Sequence, residues 1–277
     1  MNSATSSILR DIRRVREMTS TRSTSIPAYP VEFATSVGII PDDWQIAVLA
    51  SDHPRKILCC GRQTGKSTVG AVLAVHKALT VPGSTVLVVA PGERQAKLLF
   101  SKARRLYELA GHPLPAHSER RTGLELSNGS IIEALPAVER TTRGYSVDLL
   151  VVDEAAAVQD MDYHGILPAL IATQGEQVLL STPRGKRGFF HEIWHAVESV
   201  DHMDDWLRIM VRSDEVERIR PEDLDVFRHS MPEQFFRQEF YCEFLDTEGS
   251  LFSHDDIEAA LAAGQHVSTI EIGDDEW

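Results

Sequence analysis

The chain is poor in cysteine, in long apolar runs and, over its last third, in positive charge. Its three cysteines, Cys59, Cys60 and Cys242, show no metal-ligand spacing. That argues against a metal-bound or disulfide-stapled fold and predicts buried free thiols in a reducing cytoplasm. No apolar run approaches the length that spans a bilayer. The start, with five arginines by Arg22, has no apolar h-region, so no membrane partner is expected. No internal repeat is found. The net charge of −13 is unevenly spread: residues 1–200 carry 22 basic and 20 acidic side chains, residues 201–277 carry 6 and 21. The acidity belongs to the C-terminal third, which leaves a nucleic-acid-facing surface possible on the rest. A chain of 277 residues can bury one good core, or one core with a small appendage.

What is present centres on Cys60-Gly61-Arg62-Gln63-Thr64-Gly65-Lys66-Ser67-Thr68. This stretch follows the apolar run Ile57-Leu58-Cys59 and precedes a helix-like run from Val69 to Leu79. A strand, a tight loop and a helix in that order cradle nucleotide phosphates on backbone N–H groups and a helix N-terminus. Lys66 would reach the β- and γ-phosphates, and the Ser67 hydroxyl would ligate Mg²⁺. The loop departs from the usual pattern, because Cys60 holds the first glycine position and Gly61 comes one residue late.

Residues 1–40 read as a Ser/Thr/Arg-rich arm, partly disordered. Pro41 to Gln45 marks a helix start, with Trp44, Val48 and Leu49 facing inward. Thr85–Ala90 is a short strand, followed by a helical pattern to Gly111 that carries Arg94, Lys97, Lys102, Arg104 and Arg105. Alternation around Asn128-Gly129 predicts a β-hairpin. Leu149–Val152 and Gln177–Ser181 are further apolar strands. Strands alternating with helices over the first 180 residues indicate a mainly parallel sheet flanked by helices, an α/β class. From about 206 one strand, Trp206 to Val211, leads to helices at Pro221–Met231 and Pro232–Phe244. The boundaries expected are therefore 41–205 for a nucleotide-binding core, 206–250 for a lid or linker subdomain and 251–277 for an acidic tail.

Val147 to Glu154 supplies what the phosphate loop requires. An apolar strand, expected next to the phosphate-loop strand, delivers Asp153 to the Mg²⁺ side of the site, and Glu154 would polarise the attacking water. Tandem carboxylates favour an ATPase that turns over against an ATP-dependent clamp. Ser181 and Thr182, ending a strand expected beside the acidic one, would sense the γ-phosphate.

Taken together these residues resemble the ATPase domain of the large terminase subunit of tailed bacteriophages. The loop Gly61 to Ser67, with its internal arginine, is similar to that family's variant. Trp44-Gln45 resembles its adenine-recognising segment, Thr142-Arg143-Gly144 its arginine-glycine element, and Ser181-Thr182-Pro183 with Arg184-Gly185-Lys186 its coupling motif. Phe236 to Phe244 resembles its lid. The likeness covers roughly residues 40–255. It implies a P-loop NTPase fold of the RecA-like, ASCE type with a small C-terminal helical lid, and ATP and Mg²⁺ as cofactors. It also implies a motor that moves double-stranded DNA into a procapsid. The partners implied are a portal protein, a small terminase subunit and other copies in a homo-oligomeric ring, in the host cytoplasm and transiently docked on the portal. Gln45 would bond the adenine edge. Arg143 would be an arginine finger given to a neighbouring subunit, with Arg62 as the competitor in cis. Arg94, Lys97, Arg184, Lys186 and Arg187 are candidates for DNA phosphate contacts. Family members usually continue into a nuclease domain; with Trp277 as the last residue here, 251–277 reads as a truncated link to one, and no nuclease activity is expected. A helicase-like or remodelling ATPase is the alternative, since Ala90-Pro91-Gly92 with Arg94-Gln95 resembles a DNA-gripping helicase segment.

Overall fold

A computed structural model describes residues 26–138, 144–196 and 206–245. The elements in chain order are α1 (Pro30–Ser36), α2 (Asp43–Leu49), β1 (Arg55–Cys60), α3 (Lys66–Thr80), β2 (Thr85–Ala90), α4 (Glu93–Leu109), β3 (Ala116–Glu119), β4 (Gly123–Leu126) and β5 (Ile131–Pro136). They continue with β6 (Leu149–Asp153), α5 (Asp160–Ile166), β7 (Glu176–Ser181), α6 (Gly188–His195), β8 (Leu207–Val211), α7 (Pro221–Ser230) and α8 (Glu233–Tyr241).

The strands form one sheet in the order β3-β4-β5-β2-β6-β7-β1-β8. From β5 to β8 every pairing is parallel; β4 and β3 extend the β5 edge as an antiparallel hairpin pair. The hairpin between β4 and β5 turns at Asn128-Gly129, where Gly129 has φ 83°.

Parallel strands covered on both faces read as continuous apolar runs, and the central ones here do. Alternate residues point to opposite sides. Leu58, Cys60, Val86, Val88, Val151, Val178 and Leu180 pack with α3 and α4 in one layer. Ile57, Cys59, Leu87, Val89, Leu150, Val152 and Leu179 pack with α5 and α6 in the other. All three cysteines are free and buried. A hydrogen bond with Cys242 and then burial raise the Cys59 thiol, and burial raises that of Cys60, so neither ionises near neutrality.

The structure corrects two expectations. The acidic strand β6 does not adjoin the phosphate-loop strand; β7 lies between them, pairing with both. Each of these strands is buried along its apolar stretch, so their burial patterns carry no label for which neighbour each takes. The sheet also reaches past the expected boundaries of the core. β8, beyond residue 206, pairs with β1, and α1, inside the expected arm, buries Val31, Phe33 and Ala34 in the main core.

Candidate nucleotide site

The site lies where β1, β6 and β7 end together. β1 delivers the chain into the loop at Gly61, and α3 starts at Lys66 after Gly65, whose φ of 94° sits in the left-handed region that glycine enters without penalty. Gln63 also takes a positive φ, 62°. The late glycine has a packing reason: a Cβ at Gly61 would stand 2.4 Å from Ser213 Oγ and 2.7 Å from the Phe240 carbonyl oxygen. The loop is thus pressed against the segment after β8 and against α8.

Among the described residues, the Gly61 N–H donates to the Val211 carbonyl (2.9 Å) and the Arg62 N–H to that of Glu239 (2.8 Å). The next three N–H groups, of Gln63, Thr64 and Gly65, meet no acceptor among these residues. With the first turn of α3 they lie at the positive end of the helix, where backbone donors are suited to an anion. Thr64, fully buried, closes the loop from inside by donating its Oγ1 to the Gly61 carbonyl at 2.8 Å.

The two oxygens expected to hold Mg²⁺ meet. Ser67 Oγ, on the first turn of α3, donates to Asp153 Oδ2, at the end of β6, at 3.0 Å. A hydroxyl and a carboxylate oxygen are the hard donors such an ion takes, so the pair fits it. Glu154 follows with φ 52°, exposed, its N–H donating to Asp153 Oδ1 at 3.1 Å. A non-glycine residue held in that conformation costs free energy and is typical of positions where a side chain must be aimed. Ser181, buried at the end of β7, accepts the Ala156 N–H at 3.1 Å, which joins β7 to the turn just after Glu154. Thr182 is half-buried and Pro183 buried.

Gln45 is buried, and its Oε1 accepts the Asp42 N–H at 2.9 Å in a capping box at the start of α2. Its Nε2 faces Gly65, 2.7 Å from where a Cβ would be, so a base reaching Gln45 meets chiefly a donor. Arg62 turns to α8, its Nε 2.5 Å from the buried Glu239 Oε2. Arg143 and Thr142 lie outside the described residues. Of the basic residues, Arg94 is exposed in the first turn of α4 and Lys97 pairs with Glu93. Arg184 and Arg187 are exposed and Lys186 half-buried in the loop after β7. Gly185 in that loop donates its N–H to Gln238 Oε1 of α8 at 3.2 Å.

The sequence reading did not single out Arg218. It pairs with Asp42 and donates to the carbonyls of Thr64 and, at 3.4 Å, of Gln63. No motif marks an arginine that far downstream; only the return of the chain to the loop does.

A family model for the terminase large subunit, T4likevirus-type, N-terminal, matches residues 57–259. The terminase large subunit of Escherichia phage T5 is 30% identical over 224 residues, covering 78% of this chain and 50% of that protein. The one of Thermus virus P23-45 is 26% identical over 253 residues, covering 80% and 52%. The chain spans about half the length of the curated relatives it matches. Among solved structures, the large terminase ATPase domain of Thermus phage P74-26 superposes with a TM-score of 0.68 at 26% identity, over 79% of this chain and 100% of that one. Fold, loop and matched family agree, and the chain belongs to the terminase large subunit family, in its N-terminal domain.

Proposed function

We propose that this chain is the ATP-hydrolysing motor of a genome-packaging terminase, driving double-stranded DNA into a procapsid. The observation that carries the reading is the meeting of Ser67 and Asp153 at 3.0 Å beside three N–H groups that meet no acceptor among the described residues. The family match and the ATPase domain of Thermus phage P74-26 support packaging over the helicase-like alternative.

In this reading the N–H groups of Gln63, Thr64 and Gly65 and the α3 N-terminus receive the phosphates, and Lys66 reaches the β- and γ-oxygens. Ser67 and Asp153 would hold Mg²⁺, which would offset phosphate charge when bound. Glu154 orients the attacking water and takes its proton, and Gln45 reads the base. Ser181 and Thr182 report the state of the γ-phosphate to the loop of Arg184, Lys186 and Arg187, which with Arg94 and Lys97 grips DNA phosphates. Arg143 acts on the site of the next subunit in a homo-oligomeric ring, docked on the portal protein with the small terminase subunit, in the host cytoplasm.

ATP turnover against protein concentration, with and without double-stranded DNA, tests this for wild type and Arg143→Ala. A rate per subunit that rises with concentration and with DNA and collapses in the variant is expected. Mixing Arg143→Ala with Glu154→Ala subunits should restore part of it. A concentration-independent rate that survives in Arg143→Ala would place the finger at Arg62; no turnover under any condition would overturn the reading.

A further inference from the structure

The segment that follows β8 grips the outside of the phosphate loop at three successive carbonyls. Ser213 Oγ donates to the Arg62 carbonyl at 2.8 Å. The Arg218 guanidinium donates to the carbonyls of Gln63, at 3.4 Å, and Thr64. In a trans peptide the C=O and the following N–H point in opposite directions. The three carbonyls held outward therefore belong to the same peptide planes as the N–H groups of Gln63, Thr64 and Gly65, which meet no acceptor among the described residues. We propose that Ser213 and Arg218 are positioning residues, a brace that fixes these three peptide planes so that their N–H groups converge on phosphate.

The brace is itself anchored. Ser213 is fully buried and Val216 lies in the main core. Glu215 Oε2 accepts the Arg212 N–H at 2.8 Å across the 3₁₀ turn Ser213–Glu215, and Arg212 lies over the Tyr241 ring of α8 at 4.2 Å. Arg218 is fixed at its far side by the carboxylate of Asp42. The loop needs such support, because Gln63 holds a positive φ without being glycine and relaxes toward ordinary backbone when nothing opposes it. Gly61 has no side chain for the same reason: a Cβ would displace Ser213.

This inference rests on the nucleotide reading, and the experiment separates the two. Calorimetric binding of Mg²⁺-ADP and of inorganic pyrophosphate is measured for wild type, Arg218→Met, Arg218→Lys and Ser213→Ala, with thermal melting of each. Pyrophosphate carries no base, so it reports the cradle and is blind to α2 and Gln45. The brace predicts that Arg218→Met weakens both ligands by the same factor, about tenfold or more, since charged donors hold the carbonyls. Arg218→Lys recovers part of that loss, and Ser213→Ala loses several-fold. If ADP weakens and pyrophosphate does not, Arg218 serves only to hold α2 and the inference falls. Equal affinities in wild type and Arg218→Met also overturn it, leaving the nucleotide reading intact. Wild-type protein that binds neither ligand removes both. Should Arg218→Met fail to fold, Ser213→Ala and Arg218→Lys carry the same comparison.

Discussion

The two ends of the same parallel strands are built to opposite rules. At the N-terminal edge Lys56 and Asp148, which dip into the sheet, both find partners. Lys56, 2% exposed, donates to the His53 carbonyl at 2.6 Å and lies 4.0 Å from Glu176, which also takes Lys77 at 2.8 Å. Asp148 accepts the Thr85 N–H at 2.7 Å and ties β6 to β2. At the C-terminal edge the opposite is gathered: three N–H groups without an acceptor among the described residues, a hydroxyl facing a carboxylate, and positive φ at Gln63 and Glu154. Unmet donors and strain cost stability, and they persist where a ligand supplies the missing partner. One edge holds the sheet together and the other spends part of that stability on binding.

Glu154→Gln probes the functional edge most sharply. Turnover should fall about 10²- to 10⁴-fold, the usual worth of a placed general base, with ADP affinity retained. Steady-state kinetics beside calorimetry checks this; a variant that keeps wild-type turnover would assign the proton to another group. Next in size is Gly61→Ala, where the added methyl meets Ser213 and the Phe240 backbone. A loss of about 1–3 kcal/mol is expected from overpacking, together with weaker nucleotide binding, measured by denaturant unfolding and titration. No loss of either would mean that α8 yields easily.

Glu176→Ala addresses the structural edge. It leaves Lys56 buried without its carboxylate and should cost about 1–2 kcal/mol, because Glu176 is partly exposed and solvent screens the pair. Turnover per folded molecule should hold. A variant that lost turnover while staying folded would erase the distinction between the edges.

The smallest effect concerns His76 on α3, which bonds the Pro27 carbonyl at 3.1 Å and is held below its ordinary pKa of 6.5 chiefly by burial. The unfolded chain therefore binds this proton more readily than the folded one. Its contribution to stability is present above pH 6.5 and declines as pH falls toward the depressed folded value. Denaturant midpoints from pH 7.5 to 5.5 should decline less steeply in His76→Gln than in wild type. Parallel slopes would show that His76 titrates alike in both states.

Much of this molecule was legible before folding. The strand, loop and helix around Lys66 are local, and so are the hairpin at Asn128-Gly129 and the acidic end of β6; each is specified by neighbours within a few residues. The meeting of Ser67 with Asp153 was legible because a Gly-Lys-Ser loop followed by an acid-ended apolar strand is a recognisable pairing in an α/β chain. What escaped was long-range and chemically plain. Arg218 lies 154 residues from Thr64 along the chain and Glu239 lies 177 from Arg62, and nothing in an arginine or a glutamate names a partner at that distance. The insertion of β7 between β1 and β6 escaped for a related reason, since their apolar stretches are alike in burial.

By itself, then, the sequence determined the phosphate loop with its flanking strand and helix, the hairpin, the acidic strand and the chemical inventory, because hydrophobic period, turn residues and loop composition act over short stretches; α1, β3, α5 and α6 emerged only in the fold. Only the tertiary structure decided which strand stands beside which, why the loop's glycine comes at position 61, and which side chains hold its carbonyls. Those depend on the return of residues 212–241 to the phosphate loop, a contact made by packing between segments that share no local pattern.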